Sequence, residues 1–194
     1  LKIGLLTDHV PLKDVSALIT EKLIMEKARL MNESLIKDFR LQRPKIAVLG
    51  INPHCGDKGV IGTEDDDIVR PALKKLYFDE NILVFGPFAA DSFFGSQTYR
   101  NYDAVLAPYH DQGLIAFKTI AFGNGVNYTA GLSKVRTSPD HGTAYEIAGK
   151  DIADPQSFRQ AIYTALDVFR NREEYAELTK NPLKISTLEL EKDK

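Results

Sequence analysis

This 194-residue sequence has a single cysteine, no long apolar run and almost no net charge. Each of these features excludes a class of protein. Cys55 is the single cysteine, which rules out an internal disulfide and is consistent with a reducing compartment. No apolar run approaches the roughly 18 residues of a membrane-spanning helix, and no signal peptide opens the chain. We therefore expect a soluble, cytoplasmic protein with no membrane partner.

The charge is balanced, since 25 Lys and Arg stand against 27 Asp and Glu for a net charge of -2. Without a basic field there is no reason to expect nucleic-acid binding, and anionic small molecules would have to be met by local charges. A Gly-x-Gly-x-x-Gly dinucleotide fingerprint is also absent. The spacing of Gly56, Gly59 and Gly62 is too weak to replace it.

What the sequence does contain is an alternation of short apolar runs with stretches of helical spacing, which predicts an α/β fold with a mostly parallel sheet. The predicted strands are residues 3–6, 45–50, 82–85, 104–107 and 126–129. A length of 194 residues can bury a substantial core, as one domain or as one domain plus part of another.

Capping residues mark where the predicted helices begin. Thr20 is expected to cap a helix over residues 21–39, and Asp154-Pro155 to open another whose inner face includes Phe158, Ile162 and Phe169. A third helix follows Thr63, and Pro71 should kink or restart it. The acidic residues 64–67 at its start are interpreted as matching the helix dipole rather than as a metal site.

Three of the four histidines, His9, His54 and His110, follow predicted strands. Because the carboxyl ends of parallel strands lie along one edge, where open α/β sheets bind ligands, these imidazoles are expected to converge as a metal site. The alternative for each is a loop histidine bonded to the backbone. Asp111 is a candidate to orient a ligand imidazole, or else it caps a turn.

Four stretches together carry a family resemblance: Thr-Asp-His-Val-Pro-Leu-Lys-Asp at 7–14, Gly-Ile-Asn-Pro-His-Cys-Gly at 50–56, Tyr-His-Asp-Gln-Gly-Leu at 109–114 and Arg-Thr-Ser-Pro-Asp-His-Gly-Thr-Ala at 136–144. In this order they resemble the 4-hydroxythreonine-4-phosphate dehydrogenases of pyridoxal phosphate (vitamin B6) synthesis. The resemblance runs from about residue 5 to residue 170.

The resemblance implies α/β/α layers of the isocitrate and isopropylmalate dehydrogenase type, with the N-terminal part of the family fold missing. Residues 1–125 are then a metal- and substrate-binding middle domain, and residues 126–194 return toward an incomplete cofactor-binding domain. Since Leu1 is not an initiator methionine, we expect a fragment, a processed product or a trimmed chain. The resemblance also implies a homodimer with its active site at the subunit interface.

The implied activity is NAD-dependent oxidation of 4-phosphooxy-L-threonine (4-hydroxythreonine 4-phosphate) to a β-keto acid, which then loses carbon dioxide. A divalent metal, zinc foremost with magnesium or cobalt as alternatives, would stabilise the developing alkoxide. The resemblance assigns metal binding to His9, His54 and His110. It assigns substrate phosphate to Lys118, Asn127 and Arg136, and a substrate contact, plausibly across the dimer, to Asp91, which otherwise caps a helix.

For the cofactor, residues 141–150 are similar to the adenine-binding loop of isocitrate and isopropylmalate dehydrogenases. The resemblance gives adenine and ribose contacts to His141, Gly142, Thr143, Ala144 and Glu146. Tyr145 and Glu146 stand where those relatives have proline and aspartate, which leaves NADP open beside NAD. The alternative for His141 is a helix-start residue held by the preceding turn.

Two positions depart from the family pattern. Asp8 replaces a commoner threonine beside His9, and Pro108 replaces a bulky apolar residue, so the metal-site geometry can differ. Three other functions stay open: a paralogous dehydrogenase of phosphorylated threonate or erythronate, a metal-dependent hydrolase, and a noncatalytic binding or dimerisation fragment. Cys55 is interpreted as a packed free thiol.

Overall fold

A parallel β-sheet forms the centre of the computed structural model, which describes residues 1–121, 123–140, 142 and 145–182. The strands are β1 (Ile3–Leu5), β2 (Ile46–Leu49), β3 (Val84–Phe88) and β4 (Ala104–Ala107). They lie in the order β1-β4-β2-β3, and every neighbouring pair is parallel. This confirms the predicted α/β fold with a parallel sheet.

Helices cover both faces of the sheet. They are α1 (Leu12–Leu18), α2 (Glu21–Lys37), α3 (Arg70–Phe78), α4 (Ala90–Gly95), α5 (His110–Ile120) and α6 (Gln156–Thr179). Ile46 and Val48 of β2 pack into one core cluster with α2 and α3, whereas Ala47 and Leu49 pack with Phe93 of α4 in a second. Alternate residues of a strand point to opposite faces, which produces the α/β/α layers. Within the described residues, no helix has the length and apolar character needed to cross a bilayer.

Local signals explain several helix starts. Thr20 accepts a hydrogen bond from the backbone N–H of Leu23 at 3.2 Å and caps α2, as predicted. Asp154 accepts from the N–H of Gln156 at 2.9 Å at the start of α6. Before α3 the chain forms a π-helical turn, Asp65–Val69, and the α-helix resumes at Arg70, which agrees with the restart expected at Pro71. The short helix α1 was not predicted.

The end of the described chain forms a smaller layer. Strands β5 (Val126–Tyr128) and β6 (Thr137–Pro139) pair in antiparallel fashion, and α6 packs against them and against α2. The helix buries Ala161 and Val168. Three residues predicted for its inner face are largely exposed in this chain: Phe158, Ile162 and Phe169, at 59%, 47% and 54%.

A buried ion pair fastens α6 to the rest of the molecule. Arg172 Nε donates to Asp38 Oδ1 at 2.6 Å, and the Asp38 side chain is only 2% exposed. Tyr128 also donates to Asp38, and Asn171 Nδ2 donates to the Asp38 backbone carbonyl at 2.7 Å. Burial, followed by the Asp38 hydrogen bond, raises the pKa of Tyr128. The carboxylate therefore has charged and neutral donors in place of water.

Candidate functional site

The ends of β1 and β4 are bonded to each other beyond the regular ladder. The backbone N–H and the hydroxyl of Thr7 both donate to the Pro108 carbonyl, at 3.1 and 2.8 Å. Because this pairing continues past both strands, the residues that follow them are adjacent. The rings of His9 and His110 accordingly lie with their centroids 5.5 Å apart at an angle of 43°.

A carboxylate joins the two imidazoles. One ligand-type atom from each of Asp8, His9 and His110 lies within 4.8 Å of the other two. Asp111 Oδ1 lies 2.7 Å from Nδ1 of His110. With the proton on Nδ1, this contact orients the ring and leaves Nε2 free to bind a cation. From the sequence, Asp8 is a departure from the family pattern and is not predicted to belong to the site.

His54 is not part of this group in the described structure. After β2 the chain enters a turn in which residues 54–58 all have positive φ, from 43° to 85°. Such left-handed backbone is costly for residues other than glycine, and Gly56 is required because an added Cβ would lie 2.3 Å from the Gly62 carbonyl oxygen. The turn exposes the side chain of His54, and His54 is not in the group formed by Asp8, His9 and His110.

Two acidic residues stabilise the start of this turn through hydrogen bonds. Asp65, fully buried, accepts from the backbone N–H groups of Ile51 and Asn52 at 2.8 and 2.9 Å. Glu64 accepts from the side chains of Asn52 and Ser16 at 2.8 and 3.0 Å. Its own backbone N–H, then Asn52 and Ser16, lower the pKa of Glu64. Part of the acidic run, interpreted from sequence as dipole matching, thus anchors a loop.

Cys55 belongs to this turn, and Asp91 is close enough for its charge to act on the Cys55 thiol. Burial, and then the charge of Asp65, raise the pKa of the Cys55 thiol, and the Asp91 carboxylate acts in the same direction. A raised pKa keeps the thiol neutral, in line with a packed free cysteine. Asp91 is exposed in the first turn of α4 and is not among the residues that line the cleft beside His9 and His110.

That cleft has a volume of about 860 Å³, and Lys118 and Asn127 line it together with His9 and His110. Lys118 Nζ lies 3.5 Å from Asp140 Oδ1. Arg136 stands at the margin, where its Nη1 donates at 2.8 Å to the hydroxyl of Thr129, a residue of the cleft wall. The structure therefore gathers most of the residues predicted to bind metal and phosphate at one opening.

The glycine three residues after His110, in His-Asp-Gln-Gly, has a packing reason in this chain. A Cβ on Gly113 would lie 2.9 Å from Ile3 Cγ2 and 3.0 Å from Ala107 Cβ, so only glycine lets α5 approach β1 and β4. Gln112 Nε2 donates to the Gly50 carbonyl at 2.9 Å and ties α5 to the end of β2. His110, at the start of α5, is thereby fixed against two strands.

The predicted adenine contacts are only partly visible. His141, Thr143 and Ala144 lie outside the described residues. Gly142 is exposed, and Glu146 is exposed in a 3₁₀ turn, Tyr145–Ile147. The assignment of this loop to a cofactor stays a prediction.

A parallel sheet with imidazoles and carboxylates just beyond the ends of its strands defines an α/β protein of the class that binds ligands at its carboxyl edge. Residues 1–165 match the family model described as pyridoxal phosphate biosynthetic protein PdxA, and the chain belongs to this family.

Curated relatives agree with this assignment. The chain is 50% identical over 183 residues to a 4-hydroxythreonine-4-phosphate dehydrogenase of Bacteroides thetaiotaomicron, a match that covers 94% of this chain and 50% of the relative. It is 49% identical over 172 residues to the protein of the same name from Prosthecochloris aestuarii, covering 89% of this chain and 50% of that one. The chain thus spans about half the length of these relatives.

Solved structures show the same fold. A 4-hydroxythreonine-4-phosphate dehydrogenase from Klebsiella pneumoniae aligns with a TM-score of 0.75 at 36% identity, over 86% of this chain and 50% of that one. A terephthalate 1,2-cis-dihydrodiol dehydrogenase from Burkholderia xenovorans aligns with a TM-score of 0.66 at 31% identity, over 84% of this chain and 52% of that one. The fold is of the isocitrate/isopropylmalate dehydrogenase type.

Proposed function

We propose that this chain forms the metal- and substrate-binding part of a dehydrogenase that oxidises 4-phosphooxy-L-threonine with NAD, or NADP, to 2-amino-3-oxo-4-phosphooxybutanoate, which decarboxylates to 3-amino-2-oxopropyl phosphate. Its support is one observation: residues suited to a metal and residues suited to a phosphate line the same cleft in a chain of this family. Residues 1–125 carry the metal-binding side of the cleft, and residues 126–194, which add Asn127 to its wall, return toward the cofactor domain. The proposed location is the cytoplasm.

The donors around the cleft suit a divalent cation. Two imidazoles and a carboxylate within 4.8 Å of one another match the preferences of zinc, and also of cobalt or magnesium when more oxygens join. When bound, such a cation supplies polarisation of the substrate hydroxyl and a nicotinamide supplies the hydride acceptor. His9 and His110 bind the cation, while Asp111 accepts a hydrogen bond from Nδ1–H of His110.

The phosphate end of the substrate is bound by positive charge and amide groups. Lys118 contributes an ammonium, Asn127 an amide N–H and Arg136 a planar guanidinium at the margin of the cleft. Asp140 holds the Lys118 ammonium near the opening until a phosphate dianion replaces it. Substrate is thus oriented by its phosphate, with its hydroxyl toward the histidines.

The remaining predicted residues favour a homodimer with a shared site. His54 and Asp91 lie beside the end of β2 and the start of α4, apart from the cleft of the same chain. A two-fold axis that brings this surface of one chain against the cleft of its partner would place His54 and Asp91 at that cleft. In this arrangement His54 completes the predicted set with His9 and His110.

The fold is not restricted to one substrate, because the Burkholderia xenovorans structure belongs to a dehydrogenase named for a different one. The corresponding candidate for this chain is oxidation of phosphorylated threonate or erythronate. A phosphate-binding cleft serves all three acids equally, so substrate choice is decided by assay.

The test combines the chain with the half of the Bacteroides thetaiotaomicron relative that it does not match. The mixture is supplied with zinc, NAD and each of the three phosphorylated acids, and NADH is followed. We expect NADH with 4-phosphooxy-L-threonine from the mixture and none from the chain alone, since correct positioning of reactants accounts for roughly 7–11 kcal/mol of barrier lowering.

Two controls make the result specific. The His9→Ala variant should abolish NADH production by the mixture, whereas Lys13→Ala, four residues along, should not. Failure of the wild-type mixture with all three acids, together with no thermal stabilisation by NAD, would instead favour a metal-dependent hydrolase or a noncatalytic fragment.

A further inference from the structure

The third ligand-type side chain at the ends of β1 and β4 is a carboxylate and not an imidazole. We propose that Asp8 binds the divalent cation directly, so that Asp8, His9 and His110 form a two-histidine, one-carboxylate site within a single chain. The inference rests on the metal-binding part of the proposed function and adds a ligand to it.

The backbone fixes the position of Asp8 as firmly as that of its neighbour. Leu6 N–H donates to the Ala107 carbonyl at 2.9 Å, and Thr7 makes its two hydrogen bonds to Pro108. The Val10 N–H then donates to the Asp8 carbonyl at 2.9 Å and turns the chain. Asp8 therefore follows the paired ends of β1 and β4, and it lines the same cleft as His110.

The distances are those of an open site that side-chain rotation can close. Ligands about 2.0–2.2 Å from a zinc ion lie roughly 3.3 Å from one another in a tetrahedron, whereas here the three atoms lie within 4.8 Å. The Asp8 and His9 side chains are 62% and 85% exposed, so no packing resists a shift of this size.

Asp8 has a contact that resembles an orienting role but differs in geometry. Its Oδ2 lies 3.3 Å from Nδ1 of His9, longer than the 2.7 Å contact through which Asp111 orients His110. A carboxylate has a second oxygen, and Asp8 lies inside the ligand group whereas Asp111 does not. The geometry therefore assigns ligation to Asp8 and orientation to Asp111.

A mixed set of two nitrogens and one oxygen has a chemical consequence. Such a set leaves further coordination positions open for substrate oxygens, and its oxygen ligand favours manganese and magnesium relative to a site built from imidazoles alone. The chain should therefore bind these cations without contributions from His54.

The test is a titration of the chelator-treated 194-residue chain with Co²⁺, followed by its visible absorption bands, whose position and intensity report the ligands. We expect Asp8→Asn to raise the Kd for Co²⁺ at least tenfold and to change the spectrum at saturation. Asp8→Glu, which keeps a carboxylate, should retain the wild-type bands. Asp14→Asn, the same charge change outside the ligand group, should alter neither quantity. Circular dichroism checks the fold of each variant.

Two results would overturn the proposal. Wild-type affinity and bands in Asp8→Asn would remove Asp8 from the site, and weaker binding with unchanged bands at saturation would make it an orienting group only. In both cases loss of Co²⁺ binding in His9→Ala would leave the metal part of the proposed function intact. If the wild-type chain binds no Co²⁺, that part fails as well.

Discussion

Lys118 Nζ and Asp140 Oδ1 lie 3.5 Å apart at the opening of the cleft, with side-chain exposures of 56% and 23%. The cation proposed to bind phosphate is therefore already paired inside the chain. An incoming phosphate competes with this carboxylate, and the pair keeps the ammonium near the cleft while no phosphate is bound.

Replacing Lys118 tests the phosphate assignment. Lys118→Ala should weaken binding of 4-phosphooxy-L-threonine by about 1.5–3 kcal/mol, the range for hydrogen bonds to charged groups, in calorimetry with the chain. The unphosphorylated analogue should bind with unchanged affinity, and so should both ligands in the control variant Lys134→Ala. Equal losses for the two ligands would show that Lys118 supports the structure instead.

Removing the competing carboxylate should have the opposite effect. Asp140→Asn is expected to tighten inorganic phosphate binding by up to about 1 kcal/mol, a small gain because the pair is partly solvated. The measurement is a phosphate titration at two salt concentrations, with the gain smaller at higher salt. Weaker phosphate binding in this variant would mean that Asp140 positions Lys118 more than it competes with phosphate.

The ion pair that fastens α6 predicts a large effect on stability. Arg172→Met leaves Asp38 charged and buried, so the free energy of unfolding should fall by about 3–5 kcal/mol in urea titration. Arg170→Met, on the exposed side of the same helix, should change it little. Adding Asp38→Asn to Arg172→Met should recover part of the loss, because the uncompensated charge is then gone.

Glu64 predicts a dependence of stability on pH. Because its pKa in the folded chain lies below the usual 4.5, its contribution is fully present above that value and is lost as the pH falls through the lower folded pKa. Glu64→Gln should therefore be less stable than wild type at neutral pH, with the difference shrinking below pH 4.5. Urea unfolding at a series of pH values measures this, and Glu33→Gln, exposed on α2, should show no such convergence.

The left-handed turn predicts a stabilising substitution. Lys58 is exposed with φ of 55°, so Lys58→Gly should raise the free energy of unfolding by up to about 1 kcal/mol, relief of backbone strain outweighing the added flexibility of glycine. Lys74→Gly in the middle of α3 should lower it by about 1 kcal/mol. A loss in both variants would mean that the Lys58 side chain contributes a contact worth more than the strain.

The parts of the fold that were predictable depend on local order. Apolar runs located the strands of the parallel sheet, because a strand buried on both faces is apolar throughout. Capping at Thr20 and Asp154 located two helix starts, since a cap is a contact between near neighbours in the chain. Helix α1 was missed although Pro11 precedes it and acts as a start signal.

What the sequence could not predict depends on distant partners. Asp38 and Arg172 are 134 residues apart, and the sequence around each residue gives no indication that the two form an ion pair. The turn that exposes His54 is fixed by Asp65 and by the approach of Gly56 to Gly62, so a strand-end rule placed His54 with the other histidines. The grouping of Asp8 with His110 likewise required the pairing of Thr7 with Pro108.

Because β1 is an edge strand, the proposed cation would also stabilise its pairing with β4. This strand has three residues and pairs with β4 at one edge of the sheet, so its amides are expected to open to solvent before those of the central strands. A cation bound by the residues after β1 and β4 would link the edge strand of the sheet to its inner neighbour. At a hundredfold excess over its Kd it would add about 2.7 kcal/mol to the folded state, slowing amide hydrogen exchange in β1 most of all.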